Sequence, residues 1–471
     1  MKIQFCGGAR YVTGSSHLLT LSDGYKILLD CGLFQGRGKD VWEWNNNWLF
    51  DPKDIDCVVL SHAHIDHCGL LPKLVKDGFK GEIYCTHATR SLCGAMLLDS
   101  AKIQESDATY YNNKLSRKRK KNFQDFRTPL YTSEEVITSL NYFASFPYDK
   151  WVRIRRNVEL YFTDAGHILG SAAVTLRIME HDQEVKIGFT GDIGRPNRPI
   201  LRDPVAMPEV DFLICESTYG NRDHESEPEQ YHRFLDIIKR TCIEKKGKLI
   251  IPAFSLGRTQ ELVYMLDKMS SEGILPDIPV IVDSPLAINV TQIYRSHPEC
   301  FDQELHDYLL TDENPFGFNR LKYVSEVSQS KALNDDKNPS IIISASGMMN
   351  AGRIRHHLFN NIENPKNTFL IVGYCSPETP GGMLRSGAEK ISIFYEEKEV
   401  LAEVEIMDSF SAHGDRNEML QFIAHQKSSV KKVFLVHGEP ETMGNFKSFL
   451  TSRGFKDIMI PNKGEMAALA L

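Results

Sequence analysis

Short apolar runs, each closing on a small, polar or ionisable residue, recur along the whole chain. Lys2-Ile3-Gln4-Phe5 and Ser16–Leu21 predict a β-hairpin around a glycine-bearing loop, residues 7–15. Tyr25–Leu29 predicts a strand ending in Asp30-Cys31-Gly32, and Ile55–Leu60 a buried strand ending in Ser61-His62. Leu70–Val75 reads as the first turns of a helix, and residues 88–106 as another. Residues 40–50, with Trp42, Trp44 and Trp48, read as a surface loop whose tryptophans cover a core edge or stack on bases, the former being preferred. Further strands are predicted over 159–167, 185–192 and 211–220, ending in His167, Asp192 and Glu216 respectively. From about residue 225, strands alternate with helices, the rhythm of a parallel sheet. Later strands are predicted at 368–374, 401–406 and 432–436, the last ending in His437.

Composition narrows the picture only a little. A chain of 471 residues has room for two to four domains, and 42% hydrophobic with 25% charged residues is ordinary for a globular protein. No apolar run reaches the ~18 residues of a membrane span, and the first residues lack the pattern of a secretory signal. Ten cysteines at irregular spacings, with no Cys-x-x-Cys pair, predict reduced thiols and a cytoplasmic setting. The net charge of −7 argues mildly against a general nucleic-acid coat but leaves room for a local basic groove. Lys114–Lys121 is the dense basic run, read as a solvated helix face or, more sharply, as a contact to phosphates.

The candidate chemistry is concentrated in Ser61-His62-Ala63-His64-Ile65-Asp66-His67-Cys68-Gly69, which places four potential metal ligands within six residues of a strand-to-helix turn. Two imidazoles two positions apart can reach one ion, and the carboxylate with the third imidazole a second; zinc prefers such donors. Asp30 is either a helix cap or a partner that orients a ligand. The ionisable residues His167, Asp192 and Glu216, each at or just beyond a strand end, suggest one shared site at a sheet rim. Ser255, Ser284 and Ser346 stand where strands hand over to helices, with Arg258 just beyond the first. Such positions are helix caps, or helix N-termini that favour anions. No Gly-x-x-x-x-Gly-Lys-Ser/Thr run is present, which excludes a P-loop nucleotidase.

The turn His62-x-His64-x-Asp66-His67, with Asp30, His167 and Asp192, resembles the metallo-β-lactamase superfamily. Glu216, the loop Ser411–Asp415, His437-Gly438-Glu439 and the stretch Pro252–Leu262 are similar to its β-CASP branch of nucleases. The nearest group is the bacterial and archaeal relatives of the polyadenylation-factor endonuclease that lack KH domains. The resemblance covers essentially the whole chain. It implies an α/β protein: an αββα sandwich with an inserted α/β β-CASP domain, a parallel sheet flanked by helices. The implied boundaries are 1–219 and 386–471 for the sandwich and 220–385 for the insert. It also implies two zinc ions, one on His62, His64 and His167 and the other on Asp66, His67 and His437, with Asp192 bridging. Asp30 then lies behind the ligands, His413 is the general acid, Glu216 orients it, and Asp66 counts among the catalytic residues as well as the ligands.

The implied function is hydrolysis of phosphodiester bonds in single-stranded RNA by an endonuclease, with 5′-exonuclease action open to the same site. A cleft between the domains would admit single strands better than duplexes. A DNA nuclease of the same branch and a hydrolase of esters or lactams with the same fold are the rivals. His437 favours RNA, because the resemblance links valine at that position with DNA enzymes. A homodimer is the candidate assembly, and no membrane partner is expected. The stretch Gly373–Gly382 departs from the branch, lacking its glutamine and arginine.

Overall fold

The computed structural model describes residues 1–36, 39–117, 127–224, 230–373, 375–407 and 411–470. They divide into two compact units, one made of 1–197, 202–223 and 413–471, the other of 198–201 and 224–412.

The first unit is built on two seven-stranded sheets. One contains β1 (Lys2–Gly7), β2 (Ser16–Thr20), β3 (Lys26–Leu29), β4 (Cys57–Val59), β5 (Glu82–Thr86), β6 (Phe143–Phe146) and the late strand β22 (Met466–Ala468), in the order β22-β1-β2-β3-β4-β5-β6. The other contains β7 (Val152–Arg155), β8 (Val158–Asp164), β9 (Ala172–Glu180), β10 (Gln183–Phe189), β11 (Phe212–Glu216), β20 (Lys432–Val436) and β21 (Ile458–Met459), in the order β21-β20-β11-β10-β9-β8-β7. Alternate residues of both sheets meet in one core. Ile3, Phe5, Leu19, Ile27, Leu29 and Val59 of the first pack with Leu160, Phe162, Val174, Leu176, Ile187 and Phe434 of the second. Removing this apolar surface from water is the main drive for the sandwich. The opposite face of the second sheet, including Leu213, Val433 and Leu435, is covered by Met419 and Phe422 of the helix Arg416–Ile423 and by Met443 and Phe446 of the helix Pro440–Ser452. The expected αββα layering is the observed one.

The second unit is an α/β body on an all-parallel sheet. Its strands are β12 (Lys248–Pro252), β13 (Val280–Asp283), β14 (Leu321–Tyr323), β15 (Ser340–Ser344), β16 (Thr368–Val372) and β19 (Glu403–Met407), ordered β14-β13-β15-β12-β16-β19. β12, β15 and β16 are buried along their full length, as parallel strands covered on both faces must be. A small hairpin, β17 (Lys390–Ile393) and β18 (Glu396–Glu399), completes the unit.

Two expectations differ from the structure. Residues 386–412, expected with the sandwich, lie in the second unit, because β19 pairs with β16 from Thr368↔Glu403 to Val372↔Met407. The expected surface loop 40–50 contains a helix, Lys39–Asn46. Asn45 is buried there, accepting from the Phe34 amide at 2.9 Å and donating to the Phe34 carbonyl at 2.8 Å. Trp44 packs on Phe34 with ring centroids 5.2 Å apart. These tertiary contacts outweigh the weak helix preference of an Asn- and Trp-rich segment. Residues 118–121 of the basic run, Tyr374 and residues 408–410 lie outside the described residues.

Candidate metal centre

The histidine-rich turn leaves β4 and enters a short helix, Ile65–Cys68. Backbone bonds clamp it from outside: Ser15 N to Asp66 O at 2.8 Å, Cys31 N to His67 O at 2.8 Å and Leu33 N to Ile65 O at 2.9 Å. Only glycine fits at position 32, where an added Cβ would meet the Asp66 carbonyl oxygen at 1.6 Å. Asp30 (φ 58°) and His437 (φ 51°) hold left-handed backbone that non-glycine residues seldom adopt.

The structure brings His62, His64, His167 and Asp192 together as one donor group and Asp66, His67 and His437 as another. The spacings test whether they fit metal ions. Zn–N bonds of about 2.0–2.1 Å in a tetrahedron place neighbouring donors about 3.3 Å apart. His64 Nδ1 lies 3.1 Å from His62 Nε2 and 3.2 Å from His167 Nε2. Asp192 Oδ2 lies 3.4 Å from His62 Nε2 and 3.6 Å from His167 Nε2. In the second group, His437 Nε2 lies 3.3 Å from His67 Nε2 and 3.4 Å from Asp66 Oδ2. Asp192 Oδ1 lies 3.4 Å from His67 Nε2. Asp192 thus turns one oxygen to each group, and its Oδ1 is buried with no hydrogen-bond donor. A buried, unsatisfied carboxylate oxygen is costly unless a cation meets it. The residues fit a pair of metal ions.

Protonation follows the same logic. Burial lowers His62 to about 3 and His64 to about 4, and takes His167 well below its usual range, so all three are neutral and able to ligate. For His67, burial is outweighed by the Asp192 and Asp30 carboxylates, which raise it well above its usual range and favour the charged ring. His67 Nδ1 is 2.6 Å from Asp30 Oδ2 and keeps its proton there, so the Nε2 proton is the one a metal ion would displace. Asp30, fully buried, also accepts from Ser61 N at 2.8 Å and from Ser61 Oγ at 2.8 Å. Ser61 Oγ is 3.0 Å from His62 Nδ1, so one carboxylate orients two imidazoles. Thr218 Oγ1 does the same for His437 Nδ1 at 3.1 Å. In the sequence nothing marks Ser61 or Thr218 for this role beyond a hydroxyl beside a strand-end ligand.

His413 stands at the opening of this cluster, its ring 4.5 Å from that of His167 and its Nε2 3.9 Å from Asp192 Oδ2. Glu216 ends β11 behind it. Its oxygens accept from the Ile193 amide at 2.5 Å and the Thr218 amide at 3.3 Å, and His413 Nδ1 lies 3.3 Å from Oε1. The carboxylate is therefore committed to backbone donors and to His413.

The remaining expected residues lie in the second unit, where β12, β13 and β15 adjoin. Ser255 and Ser284 follow β12 and β13 and share a hydrogen bond of 2.9 Å. Ser284 also caps the helix Pro285–Arg295, accepting from Ala287 N at 3.2 Å. Ser346 follows β15 and donates to Asn350 Oδ1 at 3.0 Å. Arg258 is buried and paired with Glu261.

Comparison with known proteins agrees with this geometry. Residues 10–238 match the family model of the metallo-beta-lactamase superfamily, 259–384 that of the Beta-Casp domain, and 397–461 that of the Zn-dependent metallo-hydrolase RNA specificity domain. Ribonuclease TTHA0252 of Thermus thermophilus is 33% identical over 465 residues, 99% of each chain. Transcription termination factor FttA of Methanosarcina mazei is 30% identical, covering 93% of this chain and 67% of the relative. Cleavage and polyadenylation specificity factor 73 of Drosophila melanogaster is 31% identical, covering 93% of this chain and 60% of the relative. This chain belongs to the metallo-β-lactamase superfamily, in its β-CASP branch.

Proposed function

We propose that the chain is a metal-dependent ribonuclease that cuts phosphodiester bonds within single-stranded RNA, with two zinc ions held by the seven residues above. The observation that carries this reading is Asp192, which presents one oxygen to each donor group. The match to an RNA specificity domain and the printed name of a relative aligned over 99% of both chains support RNA as the substrate. A bound pair of such ions supplies an activated water and neutralises phosphate charge.

The chain's own residues do the rest. Asp30 and Ser61 fix the rings of His67 and His62, and Thr218 that of His437, so the donors are preorganised. His413, paired with Glu216, holds a proton for the departing sugar oxygen. Of the four residues expected to hold RNA phosphates, Ser346 keeps a partly exposed hydroxyl for that role, whereas Ser255 and Ser284 bond to each other and Arg258 is buried against Glu261. The cysteines are buried and form no disulfide among the described residues, which fits a reducing, cytoplasmic setting.

The test is direct. The purified protein is assayed for metal content and given RNA labelled at the 5′ or the 3′ end, beside DNA of the same sequence. Internal fragments from RNA, with two zinc ions per chain, support the reading. Release of mononucleotide from the 5′ end would replace endonuclease by exonuclease. Preferential cutting of DNA would overturn the substrate assignment.

A further inference from the structure

The loop between β1 and β2 is tied at both ends to the backbone of candidate ligands. The His437 amide donates to the Gly8 carbonyl at 2.6 Å, and the Ser15 amide to the Asp66 carbonyl at 2.8 Å. Both ends of the loop are therefore fixed to the backbone that carries two of the candidate ligands. Arg10 anchors the tip, with left-handed backbone (φ 61°) and Nη2 donating to Ile460 O at 3.3 Å.

Next to it stands Tyr11, a large aromatic that keeps 44% of its surface in solvent. It is braced from behind: its ring meets Trp44 edge to face at 4.9 Å, and Trp44 leans on Phe34 at 5.2 Å. The Lys463 ammonium lies 4.1 Å from the Trp44 ring centre and 5.1 Å from that of Phe34, and it makes no ion pair among the described residues. A braced tyrosine has little rotamer entropy left to lose on binding. Exposed aromatics beside positive charge suit single-stranded nucleic acid, because every base has a π face and every linkage a negative charge. None of these groups has a part in the hydrolysis described above.

We propose that Tyr11 is the stacking platform for one nucleobase close to the scissile bond, with the Lys463 ammonium favouring the adjoining phosphate. The proposal rests on the ribonuclease reading. Trp42, with 63% of its surface exposed, supplies the internal control. It lies two positions before Trp44 on the same helix, about 200° around its axis, and so outside this stack.

The experiment uses the full-length, zinc-loaded protein and a set of single-stranded RNAs, each with one abasic residue at a successive position around the cut. In the wild type, one abasic position loses about 5- to 150-fold in kcat/KM, mainly through KM, which is the range of base–aromatic stacking. Tyr11→Ala cuts the intact RNA less efficiently by the same factor and no longer responds to that abasic position, while its responses to the others are unchanged. Tyr11→Phe and Trp42→Ala behave as the wild type. Equal losses of Tyr11→Ala on every RNA would reveal a merely structural role and overturn the proposal, as would an unchanged rate on intact RNA. A wild-type protein that cut none of the RNAs would bring down the ribonuclease reading, and the platform with it.

Discussion

Nδ1 of His413 lies 3.3 Å from Oε1 of Glu216, and the carboxylate side chain is fully buried while the imidazole keeps 21% of its surface. Burial alone would strip the imidazole of its proton. The Glu216 and Asp192 carboxylates outweigh burial and hold His413 at about 9. A proton donor is thus present at neutral pH and lost as the pH rises. His413→Ala should lower kcat by about 10²- to 10⁴-fold without changing metal content. Glu216→Gln should retain more activity but bring the alkaline fall-off to lower pH, because a neutral amide no longer favours imidazolium. Single-turnover rates against pH check both, and an unmoved alkaline limb in Glu216→Gln would show that the pair does not set the acid.

Asp30 accepts from His67 and Ser61. In Asp30→Asn an amide can turn an N–H toward His67 Nδ1, which favours the wrong tautomer. Metal affinity should fall about 10- to 100-fold, as for other carboxylates behind metal-bound histidines. Competition with a chromophoric chelator measures it, and an unchanged affinity would make Asp30 only a turn residue.

Metal removal should cost stability as well as activity, because the donors converge only in the folded chain. At free zinc a thousand-fold above its Kd, binding contributes about 4.1 kcal/mol. Calorimetry before and after chelation should show that loss, restored by added zinc. Asp192→Asn should be less sensitive to zinc. Identical melting curves with and without metal would contradict this prediction.

Asp164 ends β8 beside the Arg202 guanidinium, which approaches Oδ2 at 2.9 Å. Burial raises its carboxyl to about 6, against the opposing Gly166 amide and Arg202. With a folded pKa above the unfolded 3.8, the native state binds the extra proton, so this group's contribution to stability declines as pH rises from about 4 to 6. Arg202→Met should therefore cost about 1–2 kcal/mol at pH 8, where the carboxylate is charged, and much less at pH 4.5. Denaturant titrations at the two pH values decide it; an equal cost at both would assign the effect to lost packing.

The site was legible in the sequence because its parts sit where apolar runs stop: His62 beyond β4, His167 beyond β8, Asp192 beyond β10, Glu216 on β11 and His437 beyond β20. An ionisable residue at the end of a buried strand is conspicuous, and its repetition implies convergence. Ser61 and Thr218 were not, since a hydroxyl in a turn looks the same whether it caps a helix or steers an imidazole. The helix Lys39–Asn46 depends on Asn45 reaching Phe34, a contact that local pattern does not encode. The placement of residues 386–412 was hidden for a similar reason. β19 is a half-buried edge strand, Glu-Val-Glu-Ile-Met, whose partner is chosen by the assembled sheet.

His437 leaves β20, which pairs with β11 in the sheet whose other strands carry His167 and Asp192. More than 360 residues separate it in the chain from the turn that holds His67. A ribosome extending this polypeptide passes the turn of Asp66 and His67 long before it supplies the last imidazole of the second donor group. During synthesis the second donor group therefore stays incomplete until β20 has been made and has paired with β11.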